Sequence, residues 1–546
     1  MLERWSRSKA IARMIGARLP ERQNWNFRRV VFPSAPWIVS LDPTNLRRSA
    51  IMTGMASVAP WNPAPQARSL TAIECLLDDG GHCQKHGHYG RSGVRDFSKS
   101  LFMTSAALLT CGAVFGAGLY SGLTRNFVYR TIADFWDTTK QVFSEAENIG
   151  PAARPIHFLQ PARHEGSGVT VNSMGDDGSL VLLTGFFNNS AGLRLIRRDG
   201  TEVAAWPVSF HQLFSDMSHL ETPPQTDWNI DIHGSTINPD GSVVFNFEYG
   251  GTVRLSRCGQ VEWVLNHPTH HSIEPAEGGG YWIPGRAYRK NGPAGGIKPF
   301  TYSTQNTTTE DDLILKVSED GRILAQKSVV EIFYDSGLEA VMTATGVNYA
   351  RNARWPREIV HLNKIAELPR DLAAAFPEFE AGDLMLSLRQ HNLIAVVDPD
   401  DWRVKWYQVG PWLRQHDPQF APDGTISVFN NNLYRLELDE DGRGTPSIPR
   451  VSNIMRVDPK THNARVVYGG RPGQELLSVI RGKQQLIGAD GLLITEFEAG
   501  RAVQVDAQGT VLWEYVNRYD EDEVAELTGA HVFPKGYFSV DNWNCP

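Results

Sequence analysis

The sequence lacks the features that nucleic-acid binding and nucleotide binding require. Its 546 residues carry a formal net charge of −8, whereas a general nucleic-acid binder presents a basic face to the phosphate backbone. No GxxxxGK[ST] loop, which would cradle the phosphates of a nucleotide, occurs anywhere in the chain. The composition therefore argues against a nucleic-acid partner and against a nucleotide cofactor.

Cysteine is scarce and lacks metal-binding spacing. None of the five cysteines lies in a CxxC or His/Cys zinc pattern. Cys75 and Cys83 lie among histidines in ECLLDDGGHCQKHGH, where metal binding is an alternative to unpaired thiols in a loose segment. Cys258 and Cys545 can pair only in an oxidising compartment, and the sequence leaves that pairing open.

Long apolar runs are also absent, with one exception. LFMTSAALLTCGAVFGAGLYSGL, Leu101 to Leu123, has no charge over 23 residues, enough for a helix to cross about 30 Å of hydrocarbon. We predict a single membrane-spanning helix within residues 99–124; a buried core helix and a cleaved export signal are the alternatives. Arg91, Arg95 and Lys99 precede the run, which favours a cytoplasmic N-terminus and an extracytoplasmic main domain.

The segments flanking this run differ from the rest of the chain. Residues 1–98 begin rich in arginine and poor in acids, with patchy apolar periodicity. This composition predicts a largely disordered, basic N-terminal segment. Residues 125–154 include Tyr129–Glu147, whose pattern predicts an amphipathic juxtamembrane helix followed by a linker.

Residues 155–546 repeat one pattern: two alternating strand pairs, each joined by a turn with Gly or Asp. The 49 glycines and 32 prolines of the chain favour many turns and an all-β fold. Four copies are clear and two are divergent: Gly168–Trp206, His233–Trp263, the stretch from His416, Leu476–Trp513, and the divergent His270–Val329 and His361–Trp406. Repeats of roughly 40 residues are typical of propeller blades, so we predict a six-bladed β-propeller. Residues 527–546 are left to supply a closing strand or cap.

Histidines recur near the start of these copies, before the first strand: His233, the pair His270 and His271, His361 and His416. If that strand is innermost, the histidines converge on the central channel. In the sixth copy Arg481 stands at the position that a histidine has in the other copies.

Three other interpretations of the histidines remain open. Each can form a local hydrogen bond beside a turn, or all can stabilise the blades. Three or four imidazoles also suit zinc or copper, although Arg389 in the same region counts against a cation.

The stretch His361–Asn432 resembles the bacterial arylsulfotransferase (arylsulfate sulfotransferase) family. The matching elements are HLN at His361, SLRQHNLIAVVDP at Ser387–Pro399, QHDPQFAPDG at Gln415 and, earlier in the chain, HHSIEP at His270. The resemblance extends over roughly residues 160–520. It implies an exported six-bladed propeller that transfers sulfate between phenols through a sulfohistidine in its channel. No metal, cofactor or nucleotide sulfate donor is implied.

Carried over to this chain, the resemblance makes His416 the nucleophile. It makes His361 and Arg389 supporting residues, with His271 or its neighbour His270 as the remaining histidine. Asp417 either orients His416 or caps a turn.

For substrate binding we expect contributions from His233, Asn363 and Trp412, the last as one of several aromatic side chains able to hold a phenol ring. The chain departs from the family pattern at Ser272 and in the insertion PRDLAAAFPEFEAG, for which we expect a helix above the channel.

The sequence thus favours a membrane-anchored aryl sulfotransferase with its propeller outside the cytoplasm, acting on an aryl sulfate donor and a phenolic acceptor. A catalytically silent propeller that binds a ligand or protein is the alternative. A metal-dependent hydrolase or lyase on the same scaffold is a third hypothesis.

Overall fold

The computed structural model describes residues 92–124, 154–290, 299–300, 308–344, 357–432, 436–438, 444–446, 451–488 and 490–545. The basic segment before residue 92 and the expected juxtamembrane helix at 129–147 lie outside these residues. Helix α1 covers Ser92–Thr124 and so begins before residue 99, the predicted boundary. Its stretch Ser98–Gly122 has a mean hydropathy of 1.6 and is almost entirely exposed, which makes it a candidate membrane span.

The remainder of the described chain is mostly β-strand, and its strands are numbered in chain order. They are β1 (Leu159–Pro161), β2 (Gly168–Asn172), β3 (Leu180–Phe187), β4 (Ser190–Arg197), β5 (Glu202–Pro207), β6 (Ile232–Ile237), β7 (Val243–Phe247), β8 (Gly251–Leu255), β9 (Val261–Leu265), β10 (Glu274–Pro275), β11 (Tyr281–Lys290), β12 (Thr308–Val317), β13 (Ile323–Ser328), β14 (Leu362–Glu367), β15 (Leu384–Leu388), β16 (Leu393–Asp398), β17 (Arg403–Val409), β18 (His416–Phe420), β19 (Ile426–Asn430), β20 (Leu436–Leu438), β21 (Gly444–Pro446), β22 (Asn453–Val457), β23 (Ala464–Tyr468), β24 (Lys483–Ile487), β25 (Gly491–Glu496), β26 (Arg501–Val505), β27 (Val511–Val516), β28 (Glu523–Ala525) and β29 (Leu527–Phe533). The short helices are α2 (Phe210–Leu213), α3 (Val329–Asp335) and α4 (Glu339–Met342).

All but four of these strands form six antiparallel sheets, the blades of a propeller; β1 pairs with β28 and β20 with β21 in two small separate sheets. From the channel outwards, blade 1 is β29-β3-β4-β5, blade 2 is β6 to β9, blade 3 is β10 to β13, and blade 4 is β14 to β17. Blade 5 is β18-β19-β22-β23, and blade 6 is β24 to β27 with β2 outermost. The first strand of each blade is the inner strand, and these inner strands contact one another around the channel. The predicted six-bladed propeller is confirmed.

Local turn chemistry explains why the repeats form hairpins. Asp240 Oδ1 accepts hydrogen bonds from the backbone N–H and the hydroxyl of Ser242, and Gly241 between them has φ +81°. The Asp-Gly turn at Asp423 and Gly424 repeats this arrangement, with φ +79° at the glycine. Glycine adopts such positive φ values without the clash that a Cβ causes.

Blades pack face to face through apolar side chains. Leu182 and Leu193 of blade 1 are buried against Val243 and Phe245 of blade 2. Because a four-stranded sheet has two apolar faces, each blade needs a neighbour on both sides, and a closed ring supplies them.

The ring is closed by strands that pair far along the chain. β29 is the inner strand of blade 1, where Leu527 pairs with Gly185, so residues 527–533 do supply a closing strand. The first strand of the first sequence copy, β2, is instead the outer strand of blade 6 and pairs with β27. A disulfide between Cys258 and Cys545, 287 residues apart, joins blade 2 to the C-terminal segment.

The insertion at residues 369–382 was wrongly expected to form a helix above the channel. It contains only the 3₁₀ turn Ala373–Ala375. It follows the end of β14, whereas His361 precedes the start of that strand. The insertion therefore lies at the opposite end of the inner strand from the histidine.

Candidate active site

The inner strands bring the predicted histidines together. His361 directly precedes β14, His416 is the first residue of β18, and His233 is the second residue of β6. Strand pairing shifts beside each of them, at Ile232/Gly234, at Leu362/Lys364 and between His416 and Gln419. The histidines therefore occupy slightly different repeat positions rather than a single one, and the bulges still turn them toward the channel.

Five buried histidines form what we call the histidine layer: His233, His270, His271, His361 and His416. The His271 ring is central, since its centroid lies 3.8 Å from that of His233, 4.9 Å from that of His361 and 6.0 Å from that of His416. Residues separated by up to 183 positions in the chain thus share one small volume. Arg481, the residue expected at this position in the sixth copy, lies two residues before β24 and pairs with the carboxylates of Asp231 and Glu248.

The contacts of His416 fix its tautomer. Its Nδ1 lies 2.7 Å from Asn431 Oδ1 and 3.0 Å from the carbonyl of Arg414, both acceptors. The Asn431 amide is oriented by donating its own N–H groups to the carbonyls of Ser478 and Arg481. Nδ1 must therefore carry the proton, which leaves a lone pair on Nε2.

That Nε2 atom is buried and has no hydrogen-bond partner among the described residues, and His416 is 4 % exposed. Burial, together with the positive charge of Arg389, lowers the pKa of His416 to about 3. The imidazole therefore stays neutral through the physiological range, with an unshared electron pair in the channel.

A chain of hydrogen bonds runs from a carboxylate through three imidazoles. His361 Nδ1 lies 2.6 Å from Glu358 Oε1, and His361 Nε2 lies 3.3 Å from His271 Nε2. His271 Nδ1 lies 2.8 Å from His270 Nδ1. His270 Nε2 has no hydrogen-bond partner in the part of the chain described and lies 3.7 Å from Asp312 Oδ1. Both histidines of the adjacent pair therefore belong to the layer.

Glu358 is held in the ionised form by its donors. Arg286 donates to Oε1 at 2.6 Å and Gln390 to Oε2 at 2.8 Å, in addition to His361. Although burial opposes it, these donors lower the pKa of Glu358 well below its usual range. Burial, followed by repulsion from Arg389, lowers the pKa of His361 to about 4.

Arg389 brings to this site a guanidinium with an N–H donor that has no hydrogen-bond acceptor among the described residues. It lies in the 3₁₀ turn Arg389–His391, which follows β15. Its Nε is buried without a hydrogen-bond partner among the described residues, and its Nη2 lies 3.9 Å from Glu358 Oε2. A guanidinium with free donors is well matched to a tetrahedral oxyanion.

The residues expected to bind substrate divide into two groups. Neither nitrogen of His233 has a hydrogen-bond partner within the described chain, and the Asn363 Oδ1 is likewise buried and unpartnered. Asn363 donates to the carbonyl of Gln415 at 2.7 Å. Trp412, by contrast, is fully buried in the apolar core of blades 4 and 5, with its indole N–H bonded to the carbonyl of Asn392. A side chain this deeply buried has no exposed face to offer a phenol ring, the role expected of Trp412.

Several site residues escaped sequence reasoning. Glu358 and Asn431 orient His361 and His416, yet a carboxylate three residues before a histidine is a weak signal, and Asn431 lies in an ordinary NNN turn. Arg286 and Tyr249 were also missed: the Arg286 guanidinium lies 4.1 Å from the centre of the Tyr249 ring, and the centroid of that ring lies 4.7 Å from that of the His270 ring, which is tilted to it by 41°.

A second polar region lies farther along the same inner strands. We call it the lysine layer, and it consists of Lys364, Lys483, Glu274 and Asp417. Lys364 pairs with Glu274 at 3.0 Å and Asp417 at 3.2 Å, and Lys483 donates to the carbonyl of His233 at 3.0 Å. Burial lowers the pKa of Lys483 to about 8. Although burial opposes it, attraction to Asp417 and Glu274 raises the pKa of Lys364.

Asp417 accepts from the backbone of Gln484 and faces Lys364, so Asn431 rather than Asp417 orients His416. A cavity of about 290 Å³ adjoins the lysine layer. Within the described ranges, no three His, Cys, Asp or Glu side chains are arranged to hold a metal ion.

Comparison with known sequences identifies the domain. A model of the Arylsulfotransferase (ASST) family matches residues 233–518, just over half of the chain. A search of curated proteins gave no match.

Comparison with solved structures gives matches of low identity and low TM-score. A protein of unknown function from Bacteroides caccae is 12 % identical, with a TM-score of 0.36, over 62 % of this chain and 93 % of that one. Virginiamycin B lyase from Staphylococcus aureus is 12 % identical, with a TM-score of 0.33, over 66 % and 88 %. TolB from Acinetobacter baumannii is 9 % identical, with a TM-score of 0.35, over 66 % and 67 %. The fold assignment rests on the six sheets themselves.

Proposed function

The chain belongs to the arylsulfotransferase family, and we propose that His416 is the nucleophile through which it transfers a sulfuryl group. Family membership implies a transferase that takes an aryl sulfate donor and a phenolic acceptor. The observation that carries the proposal for this chain is the buried, unpartnered lone pair of His416 Nε2. A neutral imidazole is a competent nucleophile only if such a lone pair is free.

In the first half-reaction the Nε2 lone pair attacks the sulfur of an aryl sulfate. An N–S bond forms and the S–O bond to the ring breaks, so the electron pair remains on the phenolate oxygen. The Nδ1 proton of His416 stays in place, donated to Asn431 Oδ1, and the sulfated ring becomes cationic. Arg389 supplies fixed donors for the sulfuryl oxygens, whose charge it offsets without reorganisation.

In the second half-reaction the acceptor phenol binds where the phenol released from the donor had been. Its oxygen attacks sulfur while its proton passes to the site, and the electron pair of the N–S bond returns to Nε2. The two half-reactions share one site, so the kinetics are ping-pong. Among the described residues, both ring nitrogens of His233 and the Oδ1 of Asn363 lack hydrogen-bond partners, so these atoms are free to bind the ester or the acceptor.

We also propose that the propeller acts outside the cytoplasm, anchored by α1. The candidate span Ser98–Gly122 supports a single membrane crossing. The disulfide between Cys258 and Cys545 supports an oxidising compartment, because such bonds are rarely kept in the cytosol.

The test is donor cleavage by the full-length protein in detergent, with 4-nitrophenyl sulfate and phenol. We expect phenol-dependent release of 4-nitrophenol, which His416→Ala lowers by about 10⁴-fold or more. Intact mass after donor alone should show one added sulfuryl group in the wild type and none in the variant. Equal release by both proteins would refute the assignment, and a wild type without any release would favour the catalytically silent propeller.

A further inference from the structure

We infer that His361, His271 and His270 form a proton store that supplies and recovers the proton of each half-reaction, with Glu358 and Asp312 as its two ends. We call these three residues the imidazole chain. The inference rests on the proposed function, since it concerns the proton that sulfuryl transfer to and from a phenol demands. His270 is then a positioning and proton-carrying residue that does not itself need to touch the substrate.

The observed distances indicate which way the hydrogen bonds point at rest. Glu358 is a carboxylate, so His361 Nδ1 carries a proton and, in a neutral ring, its Nε2 accepts. His271 must then donate from Nε2 and accept at Nδ1, and His270 must donate from Nδ1. The last atom, His270 Nε2, is left unprotonated, consistent with its 3.7 Å separation from Asp312 Oδ1, too long for a hydrogen bond.

One additional proton reverses the direction of the whole chain. His361 then donates from both nitrogens, His271 accepts at Nε2 and donates from Nδ1, and His270 accepts at Nδ1. The proton thereby displaced appears on His270 Nε2, facing the Asp312 carboxylate. Both states satisfy each nitrogen of the chain that has a partner, and the charged state has a carboxylate at each end.

Arg286 fixes those two ends. It donates to Asp312 Oδ1 at 3.0 Å and to Glu358 Oε1 at 2.6 Å, and it also pairs with Glu310. Two more cations lie near the chain: Arg389, and Lys483, whose Nζ lies 3.5 Å from the backbone carbonyl of His271. With these three cations adjacent, the imidazole chain is neutral while the site is empty.

An anionic sulfate ester changes that balance. Its negative charge favours the protonated form of neighbouring imidazoles, so binding draws one proton into the chain. During the first half-reaction the proton between His361 Nε2 and His271 Nε2 passes to the phenolate oxygen, and the chain returns to neutrality. During the second, the acceptor phenol gives its proton to the same pair of nitrogens. Release of the new ester then expels that proton to solvent.

The experiment compares two donors in the pre-steady-state burst of the full-length protein in detergent. Phenyl sulfate has a basic leaving group that needs the proton, whereas 4-nitrophenyl sulfate does not. We expect His270→Gln, which keeps a hydrogen-bonding side chain but cannot carry a proton, to slow the burst with phenyl sulfate by about 10²-fold. With 4-nitrophenyl sulfate the same variant should change the burst by no more than about threefold. His267→Gln, a half-buried histidine of the same segment outside the chain, should match the wild type with both donors.

A second variant and an isotope measurement guard against misfolding of His270→Gln. Asp312→Asn, which preserves shape and removes the carboxylate end, should show the same dependence on the leaving group. The burst rate with phenyl sulfate is measured in mixtures of H₂O and D₂O. For the wild type its dependence on deuterium content should indicate that more than one proton moves in the rate-limiting step, and for His270→Gln that only one does. Equal losses with both donors, or none with either, would overturn the proton store. A wild type that forms no sulfated His416 would instead overturn the proposed function.

Discussion

The histidine layer and the lysine layer line the same channel on the same strands, yet the pKa of His416 in the first falls while that of Lys364 in the second rises. His416 is buried with amide and carbonyl acceptors, and its pKa falls to about 3. Lys364 is equally buried but has two carboxylates within 3.2 Å, and its pKa rises. Burial opposes the charged form of both groups, so the two carboxylates beside Lys364 make the difference between these two residues. His416 therefore holds a neutral nucleophilic nitrogen, whereas Lys364 is a fixed ion.

The largest effect should come from breaking the lysine layer. Lys364→Met leaves Glu274 and Asp417 buried without their cation and should lower the free energy of unfolding by about 3–5 kcal/mol. Lys327→Met removes a pair of the same 3.2 Å length, with Asp335, at the surface, and should cost less than about 1 kcal/mol. Urea titration of the two variants measures the difference. Equal losses would show that pairing in the channel has no special weight.

Removing the cation beside the histidine layer should affect rate more than stability. Arg389→Ala should slow sulfation of His416 by about 10²–10³-fold, because the developing charge on the sulfuryl oxygens loses its donors. Arg389→Lys, which keeps the charge but not the fork of donors, should recover part of that rate. Burst kinetics with 4-nitrophenyl sulfate measure both, with the exposed Arg403→Ala as control. An unaffected rate would remove Arg389 from the site.

Acid should destabilise the histidine layer. The pKa of His416 is depressed in the folded state, so its contribution is present above pH 6.5 and is lost as the pH falls toward about 3. Between pH 7 and pH 5 the wild type should lose about 2 kcal/mol more unfolding free energy than His416→Gln. The exposed His462→Gln should lose as much as the wild type. A His416→Gln variant as acid-sensitive as the wild type would contradict a neutral, buried imidazole.

The smallest effect concerns the tautomer of His416. Asn431→Ala removes the side-chain acceptor at Nδ1, although the carbonyl of Arg414 remains. We expect sulfation of His416 to slow by about tenfold. Loss of one hydrogen bond from Nδ1 weakens the preference for the tautomer that keeps the lone pair on Nε2. In a His416→Ala background the same change should not alter the residual release of 4-nitrophenol any further, because the two residues act as one unit. Additive losses would mean that Asn431 acts elsewhere.

The blades were predictable because their information is local. An Asp-Gly turn such as Asp240–Gly241 dictates a hairpin wherever it occurs, and six such units leave few arrangements open. The closing pairs were not predictable with certainty, because nothing near Gly168 indicates that its strand joins blade 6 rather than blade 1. That choice depends on which sheet edge remains free once the ring has formed.

The site residues also divide into those that the sequence indicated and those that it did not. His361, Arg389 and His416 were found through family motifs that surround them, and the structure brings them together, although their roles await the experiments above. Glu358 and Asn431 were missed because orienting residues carry no motif of their own. Trp412 was misplaced because an aromatic side chain that packs a core has the same sequence signal as one that holds a ring.

The closing strand β29 has a consequence for how the protein matures. The inner wall of the first blade is contributed by Leu527–Phe533, more than 300 residues after β3, with which it pairs. Blades 2 to 5 can therefore assemble while the channel still has an open side. A chain in which this strand has not yet docked would leave the histidine layer incompletely enclosed, so its chemistry would begin only when the ring closes.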